Sequence, residues 1–323
     1  MPTIKPTDVG SLDRTTYIGS SDIAAVLGLS PWRTPLDVFF EKMGEIRPPD
    51  PDREKLFRRG KRLEPVILDM LADELGIQIT ARGRRYRSAA HRFLAAEIDG
   101  EYEHAGETIN VEIKTAHPFA SAQWGESDTD EIPIHYAAQA AFALAVTGRA
   151  RCVVAVLFGA DNLVTYRLER DDETIAGIID RAVRFWRHNV EKKIPPDPIK
   201  IDDLMRLFRR DVDTIVEADE PTARLLEQYN EARAEARAAA NFADELKFHI
   251  GKYMVGAKTM QAPTKTPRHV LNVNGVPALT IAYQEQRRID TDALRKKYPE
   301  IAVECSTTSG FFRFSTPRKR IAK

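Results

Sequence analysis

Cysteine is nearly absent from this chain. Cys152 and Cys305 stand far apart, which gives no spacing for a disulfide framework, a zinc site or an iron–sulfur cluster. Net charge is missing too. The 48 Lys and Arg side chains balance 48 Asp and Glu, which argues against a protein that coats nucleic acid and leaves only local basic patches to attract a polyanion. No apolar run approaches the roughly 18–20 residues of a membrane span. The opening MPTIKPTDVGSLDR lacks the apolar centre of a signal peptide, so the expected compartment is the cytoplasm. What is present is globular: 323 residues with 43% hydrophobic content suffice for one large domain or two smaller ones.

Helix and strand signals alternate along the first two thirds. SSDIAAVLG reads as a short helix with Ser20 or Ser21 at its N-cap and Gly28 past its end. Thr34 and Pro35 open a second helix, stopped at Gly44. A third helix runs to Leu75 and is interrupted or restarted at Pro65. Strand-like runs follow in IQITARGRRYRS, HRFLAAEIDGEYE and INVEIKTA, then a helix over about 134–147, two more strands in RCVVAVLFG and LVTYRLERD, and a helix over about 172–192. This order predicts an α/β (α+β) core, a central mixed sheet flanked by helices. PPDP at 195–198 is the expected boundary, giving a core over 1–198 and a C-terminal extension over 199–323. In the extension a long helix is expected over about 220–254. Its Leu225, Tyr229, Ala232, Ala236, Ala239, Ala243, Leu246, Ile250 and Tyr253 form a heptad-like seam, read as packing within the molecule rather than as a coiled coil between copies. ALTIAYQEQ, AVECS and FFRFS read as short strands beside a helix at 290–298, and 256–275 reads as a polar loop.

The densest chemistry lies in FLAAEIDGEYEHAGETINVEIKTA. Glu112 and Lys114 are two apart on a strand and project to one side. The Ile113 side chain points the other way, but its carbonyl is free to face the same site. With Asp99 on the preceding strand, two carboxylates and a carbonyl form a hard oxygen site suited to Mg²⁺, with Mn²⁺ as substitute. A lysine beside such an ion fits metal-assisted phosphodiester hydrolysis. A surface hairpin carrying ordinary charges has the same letters.

The segments IGSSDIAAVLGLSPWRTPLDVFFEKMGE, RRGKRLEPVILDMLADELG, EIDG, VEIKTA and HYAAQAAFALAVTG, in that order, resemble the YqaJ-type viral recombinases. These are relatives of the phage lambda exonuclease in the PD-(D/E)xK nuclease superfamily. The resemblance covers roughly residues 14–190 and implies a restriction-endonuclease-like core with a helical and small β extension. It implies Asp99 and Glu112 as metal ligands with the Ile113 carbonyl, and Lys114 as the catalytic lysine. It adds Glu64, directed at the metal, in some relatives through water, and Gln139, which orients the scissile phosphate or the lysine. Ser21 and Arg14 match residues that grip a DNA phosphate, a hydroxyl and a guanidinium at a helix N-terminus. For Ser21, simple N-capping is the plainer role. Ile98 stands where the superfamily has proline before the aspartate, and Ala141 where the family has a second glutamine.

The activity implied is that of a Mg²⁺-dependent 5′→3′ exonuclease on duplex DNA ends, serving phage-type recombination in a bacterial or phage-infected cytoplasm. A single-strand annealing protein and a ring of identical subunits are the partners the resemblance implies. A structure-specific endonuclease is the alternative within the enzymes, and an inactive DNA-binding or assembly protein the alternative outside them. The intact Asp99, Glu112 and Lys114 set argues against the last. Local positive charge exists in three clusters: Arg53, Lys55, Arg58, Arg59, Lys61 and Arg62; Arg82, Arg84, Arg85, Arg87 and Arg92; and Arg318, Lys319 and Arg320. Trp32 reads as a core aromatic, with stacking on a base as its other use.

Overall fold

A computed structural model describes residues 13–45, 51–208, 215–256, 268–282 and 284–306. The chain separates into two compact units, Met1–Asp211 and Val212–Lys323. The first begins with α1 (Ser20–Val26), α2 (Pro35–Lys42) and α3 (Pro51–Leu75). The strands β1 (Ile79–Arg87), β2 (Ala95–His104) and β3 (Glu107–Ala116) come next. They are followed by α4 (Ile134–Thr147), β4 (Arg151–Phe158), β5 (Asn162–Glu169) and α5 (Asp172–Arg184). A π-helical segment, Phe185–Val190, continues α5, and α6 (Ile201–Phe208) follows.

The five strands form one sheet in the order β1-β2-β3-β4-β5. The β1–β2–β3 meander is antiparallel, β3 and β4 are parallel, and β5 closes the edge antiparallel to β4. Parallel neighbours need a crossover, and α4 supplies it. This is the restriction-endonuclease-like arrangement that the resemblance implies. It also explains the composition of β4. Its Cys152, Val154, Val156 and Phe158 pack with Ala140 and Leu144 of α4, while Val153, Ala155 and Leu157 pack with Ile67, Leu68 and Leu71 of α3. A strand covered on both faces has no polar side to present, hence the unbroken run CVVAVLF.

A third cluster seats α1 and α2. Ile23, Leu36, Phe39 and Phe40 meet Phe142 of α4 and Phe185 beyond α5. Each such fully buried side chain contributes about 1.5–3 kcal/mol, so the N-terminal helices are firmly part of this unit. The same holds for α6, where Thr34 Oγ1 donates to Asp203 at 2.7 Å and Arg206 pairs with Asp37 at 3.1 Å. Gly148 ends α4 at φ 72°, a left-handed conformation that favours glycine. Gly100 serves a different need. A Cβ there would lie 2.5 Å from Leu68 Cδ2, so its absence lets α3 approach the strand that carries Asp99.

Several expectations are corrected. α3 runs unbroken through Pro65, because Leu63 on one side and Ile67, Leu68 and Leu71 on the other all pack against the sheet. Tertiary packing outweighs the lost backbone bond. In the second unit α7 (Glu220–Gly256) forms as expected. Part of the expected polar loop is strand: β6 (Arg268–Val273) pairs with β7 (Val276–Ala282) around Asn274 and Gly275, both at positive φ. α8 (Thr291–Lys297) matches the expected short helix. AVECS is not a strand; α9 (Pro299–Glu304) takes most of it, with Pro299 at the first helical position. FFRFS lies outside the described residues. Among the described residues no helix is long and apolar enough to cross a membrane.

Candidate active site

Strand pairing between β2 and β3 reaches Gly100↔Val111 and goes no further toward Asp99. Beyond that rung, a side chain takes over from the backbone: Ile113 N–H donates to Asp99 Oδ2 at 2.9 Å. The N–H and C=O of one strand residue point to the same edge. The Ile113 carbonyl is therefore directed to the edge where Asp99 lies. The Ile113 side chain goes into the core under α3, and its neighbours Glu112 and Lys114 take the opposite face, toward α4. There Lys114 Nζ and Gln139 Nε2 both donate short hydrogen bonds to Glu112 Oε1. The Lys114 ammonium also sits 5.2 Å from the centre of the Tyr136 ring. Four of the expected site residues thus meet within one strand pair and one helix turn.

Glu64 approaches from α3. It is bound to Lys61 at 2.8 Å, and Lys61 in turn lies 3.6 Å from Glu97. Burial raises the Glu64 carboxyl above its usual value, Lys61 opposes this, and the charge of Asp99 adds to it. Glu64 and Asp99 are therefore electrostatic neighbours. Of the basic residues on α3, Arg58, Arg59 and Arg62 are exposed. Those on β1 are largely committed: Arg82 pairs with Asp69, Arg84 with Glu101 and Arg85 with Glu97. Arg318, Lys319 and Arg320 lie outside the described residues.

The electrostatics of this corner are those of too much buried negative charge. Burial pushes Asp99 up, against the pull of Lys114. Burial and then the Asp99 charge push Glu112 up to about 7, again against Lys114. Burial alone would lower Lys114, but Glu112 and Asp99 outweigh it and hold the ammonium above its usual value. One lysine is thus shared among acids that remain hard to ionise. A divalent cation is the group that relieves such a cluster, and carboxylate and carbonyl oxygens are its preferred donors. Among the described residues no three His, Cys, Asp or Glu side chains form a cage; Asp99, Glu112 and the Ile113 carbonyl are the oxygens that could hold such an ion.

At the N-terminal end of α1 the structure brings together Arg14 and Ser21, the pair expected to grip a DNA phosphate. Arg14 Nη2 donates to Ser21 Oγ at 3.1 Å and to Asp22 Oδ1 at 3.0 Å. Ser21 is not the N-cap. Gly19 is, and Asp22 accepts its N–H at 3.1 Å, which releases the serine hydroxyl to the guanidinium. Asp22 was not singled out in the sequence, yet it is the hub. It is fully buried and also binds Arg33 at 2.9 Å and the fully buried Lys42 at 2.8 Å. Burial would raise it, but Lys42, Arg14 and Arg33 hold it well below the carboxylate range. Three cations face Asp22 and Glu41, so the cluster keeps one net positive charge beside Ser21.

Removing this hub strands a buried ammonium, a change that typically destabilises by roughly 3–5 kcal/mol. Asp22→Ala is expected to lower the unfolding free energy by about that amount in urea denaturation. A midpoint equal to the wild type would show that the network is not structural. The pH sign follows from the depressed folded value. The contribution is fully present above the unfolded value of about 4 and is lost as pH falls toward the folded one. The stability gap between wild type and Asp22→Ala therefore narrows in acid.

Residues 12–150 match the model of the YqaJ-like viral recombinase domain, in agreement with the resemblance read from the sequence. Among individual proteins, the uncharacterized protein YqaJ of Bacillus subtilis (strain 168) is 28% identical over 181 residues, 55% of this chain and 55% of that protein. The chain therefore spans about half the length of the curated relative it matches. Among solved structures, the alkaline exonuclease of Laribacter hongkongensis in complex with dAMP is 21% identical with a TM-score of 0.46, covering 61% of this chain and 95% of that one. A phage-related exonuclease from Haemophilus somnus 129PT is 13% identical with a TM-score of 0.39, covering 54% and 94%.

Proposed function

We propose that this chain is a divalent-cation-dependent deoxyribonuclease that degrades duplex DNA from 5′ ends in phage-type recombination. The observation that carries the reading is the convergence of Asp99, Glu112, Lys114 and Gln139 on one strand pair and one helix turn, where buried acids lack enough positive charge. The match of residues 12–150 to a viral recombinase domain supports the same chemistry. Asp99, Glu112 and the Ile113 carbonyl would hold Mg²⁺ or Mn²⁺, with Glu64 behind them. When bound, the ion supplies charge neutralisation and Lewis-acid polarisation for a phosphodiester.

The chain's own groups do the rest. Gln139 and Lys114 fix the carboxylate of Glu112 from two sides. The charges of Glu112 and Asp99 favour the ammonium form of Lys114, which would contribute positive charge to the developing phosphorane. Arg14 and Ser21 offer a guanidinium fork and a hydroxyl to a terminal phosphate, where charge-assisted bonds are strongest.

The test uses three substrates at one fixed ionic strength, because counterion release weakens all DNA binding as salt rises. Linear duplex with a 5′-phosphate is expected to be degraded fastest, linear duplex with a 5′-hydroxyl more slowly, and covalently closed circles not at all. Arg14→Ala is expected to shrink the phosphate preference. Digestion should stop in EDTA and should not resume with Ca²⁺, whose looser coordination positions reactants poorly. Nicking of closed circles would instead assign an endonuclease.

A further inference from the structure

We propose that Trp32 is the stacking platform for the 5′-terminal nucleobase, held between the phosphate grip and the catalytic carboxylates. The inference rests on the exonuclease reading above and adds the element that holds the departing nucleoside. Trp32 is 52% exposed, contrary to the core position its sequence suggests. The other two tryptophans are engaged in stacks. Trp124 lies on Tyr136 at 5.4 Å, and Trp186 lies parallel to Phe93 at 5.2 Å.

The mount of Trp32 is rigid although its ring is exposed. Its own N–H and that of Arg33 both donate to Ser30 Oγ, at 3.3 and 3.2 Å. Arg33 is anchored to Asp22 and Glu41, and Thr34 caps α2. The ring is held out toward solvent by this local bonding rather than drawn into the core.

Its position says what would lie against it. Through the backbone, Trp32 adjoins Arg33, which shares Asp22 with Arg14, and Arg14 holds Ser21. Through its ring, it meets His135 edge-to-face at 4.9 Å and Tyr136 at 6.3 Å, and the Tyr136 ring carries the Lys114 ammonium. The residue thus connects through Arg33 and Asp22 to the terminal-phosphate grip and packs directly on the wall of the cleavage site. In a 5′ end gripped at its terminal phosphate and cut at the next phosphodiester, only one nucleoside lies between those two points. Trp32 and His135, edge-to-face at 4.9 Å, would offer that nucleoside an aromatic ledge. A further observation points to a ligand here. His135 Nε2 is buried with no hydrogen-bond partner among the described residues, whereas buried polar atoms are nearly always bonded. Stacking also suits the task. Every base has a π-face, so a stacking platform accepts each successive nucleotide without sequence preference.

The test compares two 5′-phosphorylated linear duplexes that differ only at the terminal nucleotide, one natural and one abasic. Release of that first nucleotide is measured in single turnover. The wild type is expected to release the natural nucleotide on the order of tenfold faster than the abasic one, the effect of one lost stack. Trp32→Ala is expected to remove the difference, with both duplexes at the slow rate. Trp32→Phe should keep most of it, and Trp32→Leu, which keeps bulk without a π-face, should lose it. A merely structural tryptophan would slow both duplexes equally and leave their ratio intact, and that result overturns the proposal. If Trp32→Ala does not melt cooperatively, the Phe and Leu variants decide. A wild type that digests 5′ ends but ignores the terminal base rejects the platform alone. A wild type that digests neither duplex from its 5′ end rejects the exonuclease reading and the platform with it.

Discussion

Alanine at Asp99 or at Glu112 is expected to abolish DNA cleavage while DNA binding survives or tightens. Both carboxylates sit where burial raises their proton affinity, and Lys114 is the main positive charge holding them ionised. Each supplies a charged donor to the proposed cation seat, so removing either leaves one carboxylate and a carbonyl, too little charge for a hard divalent ion. Binding moves the other way, because each acid repels phosphate at short range. The Asp99→Asn and Glu112→Gln variants sharpen the result. They keep the shape, and with it hydrogen-bond acceptors for Ile113 N–H, Gln139 and Lys114, while removing the charge. A thermal-shift series with Mn²⁺ tests the same seat without DNA. The wild type should be stabilised by the ion and the two neutral variants should not. Wild-type cleavage rates in any of these variants would sink the site.

How far the letters carried this result depended on distance along the chain. That Glu112 and Lys114 share one face was legible because alternation in a strand is a local rule, whereas Gln139 came only from the resemblance, with Gly148 marking no more than the end of its helix. β4 was legible as a strand from its apolar run. Asn274-Gly275 spells a two-residue hairpin turn, and both residues do adopt positive φ. The polar stretch around it masks that signal, because it has the composition of a loop. AVECS misled in the other direction. Val303 suggested a strand, but Pro299 at a helix start and the helix formers Ala302 and Glu304 prevailed.

Asp22 shows what local rules do not reach. Its partners Arg14, Arg33 and Lys42 come from a 3-10 turn, a loop and α2, and they converge only because α1 and α2 pack on α4. Alone in SSDIAA, an aspartate in the first turn of a helix is an ordinary capping residue. It does cap here, and that second use is what moves Ser21 from the cap to Arg14. Trp32 is a related case. Nothing in SPWRT states that the ring faces outward, because that follows from Ser30 and Arg33 bonding on either side of it.

Lys114→Ala is expected to lower turnover by roughly 10²–10⁴-fold, the usual range for a lost proton-handling or charge-positioning group, while leaving cation binding nearly intact. The Lys114 side chain is 15% exposed, its ammonium lies against Glu112 and the Tyr136 ring, and it is not a donor to the cation. Its removal has two opposed effects on the cation seat. Lys114 pulls the Asp99 and Glu112 values down, so without it protons compete harder for both oxygens at neutral pH. The cation, for its part, no longer meets a neighbouring positive charge. Without Lys114 the Glu112 carboxyl lies higher than the value of about 7 that it has beside the ammonium, so the first effect fades only in alkaline buffer, where the second remains. Calorimetric Mn²⁺ affinity is therefore expected to be close to wild type near neutrality and equal or tighter in alkaline buffer, with cleavage crippled at both. A collapse of cation affinity at both pH values would make Lys114 a structural brace for Glu112. Retained turnover would instead mean that the charge needed in the transition state comes from elsewhere, with Lys61 beside Glu64 the nearest alternative in this corner.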